Sequence, residues 1–425
     1  MSEQPVIFND TQLSAMDMIE HGNDNLLILG SAGTGKSTFV KQLKASSPKK
    51  IICACPTAVS ALNIGGQTIH SMFQIAPRDF IFPEFLKLKS KPRNVLNDAD
   101  LLIIDEISMV SPDLLDAMDI LARQARKNGT PFGGLQILAI GDLFQLPPVI
   151  SRMAEPYYEQ EYGCKRAYFF DSHVYKRANF RRLSFDFVYR QNDEELLSHL
   201  NAMRRGNCAS SLDYFNSLKI DDEEKLKNAV IITPFRNIAE SINKKRLAEI
   251  NAPEVVYHGK INGNFEGRDL PAPEELVLKV GTLVVFTKND SKHRWHNGSV
   301  GVIKSLGKSI GVKLLNSSEV VEVKPEKWEK MEYRRDEENK LIENEVGSYT
   351  QFPLMHGYAM TIHKAQGKTL DAVVIDMSRG AFTHGQTYVA LSRTRNSRDI
   401  HIASPLNERD VIFDQRIIDF ISNGN

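Results

Sequence analysis

The chain has 425 residues, 42% of them hydrophobic and 25% charged, which is long enough for more than one core and too apolar for a disordered or low-complexity protein. Lys+Arg and Asp+Glu are equal at 53 each, so a histone-like cationic coat is excluded while a local basic groove is not. The 4 cysteines lack CxxC spacing and nearby histidines, which argues against zinc, and no apolar run reaches the ~18 residues of a membrane span.

The opening "MSEQPVIFND" is acidic and lacks the basic, apolar pattern of a leader, so a cytoplasmic protein with reduced thiols is expected. The segment "FNDTQ" places Phe8 and Gln12 one element ahead of the first strand. A Gln there can read an adenine edge with its paired donor and acceptor, and Phe8 can stack.

The apolar run "NLLILG" ends in a glycine-rich turn, "GSAGTGKST". Gly30-x4-Gly35-Lys36-Ser37 is the full phosphate-loop pattern, in which Gly30, Ser31, Ala32, Gly33, Thr34, Gly35, Lys36, Ser37 and Thr38 form the cradle. ATP is the expected nucleotide, with Lys36 bridging its β- and γ-phosphates and the Ser37 hydroxyl on Mg²⁺. Farther on, "LLIIDEIS" delivers Asp105 and Glu106 to a strand's carboxyl end. Asp105 is expected to hold Mg²⁺, and Glu106 to orient and deprotonate the attacking water. A third apolar strand, "LQILAIGD", leads into "GDLFQLPPV", where Gln145 can sense the γ-phosphate.

Strands of this kind alternating with amphipathic stretches over residues 26–180 predict an α/β fold with a parallel sheet covered on both faces and ligands at the carboxyl ends. Prolines, aromatics and bases over 74–96 predict a small insertion. A second α/β region is read at 181–256 and 352–425, from "RRLSFDFVYRQ", "NAVIITPFRN", "LDAVVIDMS" and "DIHIASP". Short Gly-punctuated strands over 257–351 predict an antiparallel barrel inserted into it. Arg190 and Arg393 both fall outside the first α/β region, residues 1–180. Either guanidinium can reach across a cleft to a transferred phosphoryl group, and either can equally be a surface ion-pair member.

The segments "GSAGTGKST", "PTAVSALNIGGQTIHSMF", "IIDEISMV", "GDLFQLPPV", "VYRQ", "MTIHKAQGKTLD" and "VALSRTR" follow the order of superfamily 1B helicases. From Phe8 to Ile402 the chain most resembles the Pif1 family, and "ISMVSPDLLDAMDILARQAR" is similar to that family's signature segment. The resemblance implies a monomeric motor of two RecA-like domains with ATP between them. Such a motor moves 5′ to 3′ on single-stranded DNA and unwinds duplex or fork junctions, with G-quadruplex and RNA–DNA hybrid as further substrates. The roles given above then fall to Lys36, Ser37, Asp105, Glu106, Gln145, Arg190, Arg393 and Gln12, with Gln366 and Gly367 at the ATP-facing edge of the second motor domain. Strand contacts map to Pro56-Thr57, Thr68-Ile69-His70 and Thr361-Ile362-His363-Lys364, where small hydroxyls and backbone amides hold phosphates without reading bases. The insertion corresponds to a wedge with Phe80, Phe82 and Phe85 as platforms, unless they pack its own core. The barrel corresponds to an SH3-like insertion, with Trp295 and Lys292 in a loop that meets the strand or simply faces solvent. Polarity rests on the resemblance alone; a 3′-to-5′ motor, a nucleotide-dependent clamp and an RNA track stay open at the level of residues.

Overall fold

The computed structural model describes residues 8–189, 193–206, 208–265, 270–315, 317, 319–336 and 341–423. Six parallel strands, β1 (Leu26–Gly30), β2 (Ile51–Cys55), β3 (Gln67–Thr68), β4 (Leu101–Ile104), β5 (Gln136–Gly141) and β6 (Arg181–Phe185), form one sheet in the order β3-β2-β4-β5-β1-β6. The helices of this half are α1 (Asp10–His21), α2 (Lys36–Ser46), α3 (Ala58–Ile64), α4 (Ile69–Phe73), α5 (Ser90–Asp98), α6 (Pro112–Arg126), α7 (Glu155–Tyr162) and α8 (His173–Arg177). Helices cover both faces, which is why β4 and, after Gln136, β5 are apolar, with both strands wholly buried. The strand period separates the two cores: Leu26 and Ile28 pack with Phe39 and Val40, whereas Leu27 faces Leu102, Ile137 and α6.

The segment Arg181–Phe185, expected in the second α/β region, is instead the sixth strand of the first sheet, paired with β1 from Leu26 to Gly30. Its half-polar sequence suits an edge position. Gly30 lets it approach, since a Cβ there would stand 2.9 Å from the Phe185 carbonyl oxygen and 2.7 Å from Thr34 Oγ1.

Helix α6 carries three buried carboxylates spaced three residues apart, and each ties down a different segment. Asp113 accepts from the Ile81 amide at 2.8 Å and the Tyr158 hydroxyl at 2.7 Å. Asp116 accepts from the Val174 and His173 amides, and Asp119 from the Phe132 amide at 2.6 Å and from Arg123. Burial of these acids is tolerable because each is fully hydrogen-bonded. The segment that resembles the family's signature is therefore, in this chain, a structural clamp.

The expected insertion at 74–96 is shorter than read. Its second part, α5, is an ordinary crossover helix burying Val95 and Leu96 before β4. Residues 74–89 hold a single 3₁₀ turn, Pro83–Phe85. Of its aromatics, Phe80 is buried among Ala154, Tyr158 and Tyr162, whereas Phe82 and Phe85 are 40% and 76% exposed.

The second half begins with α9 (Glu194–Arg204), α10 (Ala209–Ser217), α11 (Glu223–Lys227), β7 (Val230–Thr233) and α12 (Arg236–Ala248). Antiparallel strands follow: β8 (Val255–His258), β9 (Lys260–Gly263), β10 (Glu275–Leu278), β11 (Leu283–Phe286), β12 (Val300–Ser305), β13 (Ile310–Leu314), β14 (Val320–Val323), β15 (Glu326–Arg335), β16 (Leu341–Gln351) and β17 (Leu354–His356). The chain then completes a parallel sheet, β18-β7-β19-β20, from β18 (Ala359–Thr361), α13 (Ile362–Ala365), β19 (Val373–Ile375), α14 (Gln386–Leu391) and β20 (Ile400–Ile402), and ends in α15 (Gln415–Ser422).

The antiparallel part centres on the sheet β14-β13-β12-β11-β17, whose core includes Val284, Phe286, Ile303, Val312 and Phe352. Trp295, expected either to meet the strand or to face solvent, belongs instead to this core: it is 7% exposed and its ring lies 4.6 Å from that of Phe286. Lys292 is exposed in the same loop. The β15–β16 hairpin reaches back to the first sheet, where the Tyr333 hydroxyl accepts from the Cys53 amide at 3.0 Å. Cys53 lies on the stretch of β2 that β3 does not cover, so the hairpin satisfies an edge.

Helix α15 also crosses to the first half. Phe420 stacks on Phe170 with centroids 4.3 Å apart beneath the Arg182 guanidinium, and Arg416 forks onto Asp171. All 4 cysteines are free, and no helix among the described residues is long and apolar enough to cross a membrane.

Candidate functional site

The phosphate loop joins β1 to α2. Gly33 and Gly35 have φ of 86° and 81°, the left-handed region that a glycine occupies without strain, and they turn the loop's amides inward. Gly35 caps α2, so Lys36 and Ser37 open the helix, with Thr38 in its first turn. Lys36 Nζ donates to the carbonyls of Gly30 and Ser31, both at 2.8 Å, and so lies folded across the cradle. Thr34 Oγ1 donates to the Ser31 carbonyl at 3.0 Å.

Gln12 is buried beside this loop. Asn9 caps α1, and Gln12 returns the bond through Oε1, completing a capping box. Gln12 Nε2 donates to the Thr34 carbonyl at 3.3 Å, and Oε1 also accepts from the Tyr189 hydroxyl at 3.2 Å. The Tyr189 amide donates to the Gly33 carbonyl at 2.9 Å. Tyr189 and Phe187 are 46% and 61% exposed, and they form an aromatic pair flanking the loop. Phe8, the residue expected to stack on a base, is half-buried, with its ring in an edge-on contact with Phe39. Arg190 lies outside the described residues.

Strand β4 hands over to Asp105 and Glu106. Asp105 is buried, and its Oδ1 accepts from the Glu106 amide at 3.0 Å. Burial pushes its pKa up, opposed by that amide and by Lys36. Glu106 has φ of 56°, a left-handed conformation that costs a non-glycine residue about 1–3 kcal/mol and persists only where packing imposes it. The following turn, Ile107–Met109, is wedged against the end of β5, where a Cβ on Gly141 would stand 2.9 Å from Ile107. Burial, and after it the Asp105 charge, raises the Glu106 pKa to about 7, with Lys36 and Arg393 opposing. A carboxyl poised there is matched to proton abstraction near neutrality.

Gln145 is buried after β5, and its Nε2 donates to Asp142 Oδ2 at 3.1 Å. From the second half, Gln366 Nε2 comes within 3.5 Å of Glu106 Oε2, and the Tyr388 hydroxyl accepts from the Ala32 amide at 3.4 Å. Arg393 is 1% exposed, and its guanidinium donates to the carbonyls of Val389, Ala365 and Lys368. It thereby holds the turn bearing Gln366 and Gly367, while its charge reaches Glu106. The structure thus brings Lys36, Asp105, Glu106, Gln366 and Arg393 together at one cleft, with the Gln145 turn beside it. Asp142, Tyr189 and Tyr388 join it without having been singled out in the sequence. Asp142 and Tyr189 lie in "GDLFQ" and "FVYRQ", beside Gln145 and Arg190.

The segments read as strand contacts share one construction. Thr68 ends the edge strand β3 and caps α4 by accepting from the Ser71 amide at 3.2 Å. Thr361 ends the edge strand β18 and caps α13 by accepting from the Lys364 amide at 3.3 Å. Thr57, beside Pro56, caps α3 through the Ser60 amide in the same way. Capping uses each hydroxyl as an acceptor; Thr68 and Thr361 keep their donor capacity for another group, whereas Thr57 Oγ1 also donates to Ser60 Oγ at 2.8 Å. His70 is half-buried, and burial lowers its pKa; His363 and Lys364 are exposed, with His363 stacked at 6.5 Å on Phe382.

Comparison with known proteins supplies the family. The PIF1-like helicase family model matches residues 2–213, and a viral helicase model, that of herpes helicases, matches 338–424. The ATP-dependent DNA helicase Pif1 of Campylobacter jejuni is 30% identical over 90% of this chain and 89% of its own length. Human ATP-dependent DNA helicase PIF1 is also 30% identical, with 60% of its length spanned. Among solved structures, Bacteroides Pif1 with ADP-AlF4 has 33% identity and a TM-score of 0.89, covering 99% of this chain and 97% of that one. Bacteroides Pif1 bound to single-stranded DNA has 34% identity and a TM-score of 0.70, covering 99% of each chain. The two parallel-sheet halves are accordingly RecA-like domains, and the chain belongs to the Pif1 family of helicases.

Proposed function

We propose that this protein is an ATP-dependent DNA helicase that translocates 5′ to 3′ on single-stranded DNA and opens duplex ahead of it. The observation that carries the reading is the cleft: Lys36 and Glu106 on one RecA-like domain face Gln366 and Arg393 on the other, and each domain also presents a threonine-capped Thr-Ile-His segment at its sheet edge. The cleft residues named here belong to one chain, and a monomer is proposed as the working unit.

ATP would lie over the phosphate loop, with Tyr189 and Gln12 on its adenine side. Ser37 and Asp105 offer the hard oxygen donors that Mg²⁺ takes, and a cation beside the buried Asp105 would favour its ionised form. The ion would neutralise phosphate charge. Glu106, deprotonated, accepts the proton of the attacking water, and Arg393 with Arg190 offsets charge on the phosphoryl group. Pro56-Thr57, Thr68-His70 and Thr361-Lys364 would hold the strand's phosphates, with His363 and Phe382 offering ring faces to bases. The exposed Phe82 and Phe85 are proposed as the wedge, and strands β10–β14 with β17 as an SH3-like insertion. Nothing specific in the site favours a clamp that binds without turnover, and the free thiols suit the cytoplasm.

The test is the ATPase rate with and without a short single-stranded DNA, followed by unwinding of forks carrying a 5′ or a 3′ tail. Stimulation by DNA together with unwinding from the 5′ tail is expected. A rate indifferent to DNA would overturn the motor, and unwinding from the 3′ tail would overturn the polarity.

A further inference from the structure

The turn carrying Gln145 is gripped from the other motor domain. Asp142 is 1% exposed, and its two oxygens are divided between the domains. Oδ1 accepts from the Phe144 amide at 3.2 Å and pairs with Arg204 Nη2 at 3.3 Å. Oδ2 accepts from Gln145 Nε2 at 3.1 Å and from the Tyr388 hydroxyl at 3.3 Å. Arg204 ends α9 and Tyr388 lies in α14, both in the second domain. The Arg204 guanidinium sits between rings from the two domains, 4.5 Å from the Phe144 centroid and 5.6 Å from that of Tyr388. Beside it, His384 Nε2 bonds the Leu143 carbonyl at 3.0 Å, and a Cβ on Gly385 would strike the carbonyl oxygens of Phe144 and Gln145.

This arrangement decides which end of the Gln145 amide is available. A carboxylate only accepts, so Asp142 takes the amide nitrogen and leaves the Gln145 carbonyl oxygen for the cleft. An oxygen so presented accepts from water rather than donating to phosphate. The orientation holds while the carboxylate keeps its guanidinium partner, and that partner arrives from the second domain. If the domains part, Arg204 and Tyr388 leave together and the carboxylate loses two of its four partners.

We propose that Arg204 is a positioning residue for ATP hydrolysis: by pairing with Asp142 when the domains meet, it fixes the Gln145 amide and so makes turnover depend on closure of the cleft. The proposal rests on the helicase reading above. Arg204 touches neither nucleotide nor water on this account, so its removal should act through Gln145 and spare nucleotide affinity.

The experiment is a mutant cycle in the full chain, measuring DNA-stimulated kcat, KM for ATP and the Kd of a fluorescent ADP for wild type, Arg204→Gln, Gln145→Ala and the double variant. We expect each single variant to lose about 10- to 100-fold in kcat with the ADP Kd within about threefold of wild type, and the double variant to lose no more than the worse single one, as for residues acting as a unit. Arg204→Lys, which keeps the charge but not the planar stacking, should fall between wild type and Arg204→Gln. The proposal is overturned if the losses multiply, if Arg204→Gln turns over normally, or if ADP affinity falls in step with kcat. Should Arg204→Gln fail to fold, Arg204→Lys alone and combined with Gln145→Ala is read by the same criterion. Absence of DNA stimulation in the wild-type protein would instead count against the helicase reading, independently of the cycle.

Discussion

Replacing Glu106 by Gln should stop turnover and at the same time stabilise the nucleotide-free protein. The carboxyl is held in a left-handed backbone next to the buried Asp105, and burial together with that neighbour moves its pKa from the ordinary glutamate value near ~4.3 to about 7. A raised pKa means that the folded state binds the proton more tightly than the unfolded chain. The associated stability is therefore complete below the unfolded value and is lost as pH rises through the folded one. At pH 8 the folded protein must carry the buried anion, and a displacement of this size corresponds to roughly 3 kcal/mol. A neutral amide of the same shape avoids the charge but still needs hydrogen-bond partners, so a net gain of about 1–3 kcal/mol is expected. For a domain of this size that raises Tm by about 3–10 °C. Melting curves of wild type and Glu106→Gln without nucleotide, taken at pH 5 and pH 8, check it. The difference should be large at pH 8 and small at pH 5. A variant that melts with or below wild type at pH 8, or an advantage that does not change with pH, would refute the reasoning about burial and charge even if turnover is lost.

The same carboxyl predicts that kcat/KM for ATP falls as pH drops below about 7, because the free enzyme's base must be unprotonated; a profile flat from pH 6 to 8 would assign the base elsewhere. Lys36→Ala should abolish hydrolysis, since the ammonium now folded onto the Gly30 and Ser31 carbonyls is the group placed to meet the phosphates; near-normal turnover would sink the site. The wedge aromatics should separate cleanly. Phe80→Ala removes a buried ring and should cost about 3–5 kcal/mol in denaturant unfolding. Phe85→Ala, at a side chain 76% exposed, should leave stability within about 0.5 kcal/mol yet slow fork unwinding with DNA-stimulated ATPase retained. Equal effects of Phe85→Ala on unwinding and ATPase would remove it from the wedge.

The central strands of the first sheet are legible because each is a short apolar run leading into a functional segment, as in "LLIIDE" and "LQILAIGD". The phosphate loop was legible because its glycines, Lys36 and Ser37 are neighbours in the chain. Strand β6 was not, since "RRLSF" reads the same beside either sheet and only the approach permitted by Gly30 decides the matter. The burial of Trp295 is not legible for a related reason: its loop, "SKHRWHNG", is polar, and nothing local shows that the ring folds under Phe286. The Asp142–Arg204–Tyr388 contacts join residues up to 246 positions apart, and such long-range pairs leave no local pattern in a single sequence. Likewise the buried acids of α6 look like a solvated helix face until the segments that they bind are in place.

On the helicase reading, the distance between strand grip and chemistry is short in both domains. In the second, Thr361 caps α13 and Gln366 directly follows its last residue, so a helix of 4 residues, about 6 Å long, joins the strand segment to the group that meets Glu106. Arg393 bonds the carbonyls of Ala365 and Lys368, which stiffens the end of that link. In the first, Pro56-Thr57 follows β2, and Asp105 follows the adjacent β4, with the Asp105 amide bonded to the Ala54 carbonyl at 3.1 Å. A displacement of either strand-binding segment is therefore carried to a catalytic group through a single turn of helix or a single ladder bond. Neither path contains a glycine-rich joint where motion could dissipate, except at Gly367, which lies beyond Gln366 and so outside the link. Coupling between the DNA track and hydrolysis then needs no long relay, only the opening and closing of one cleft.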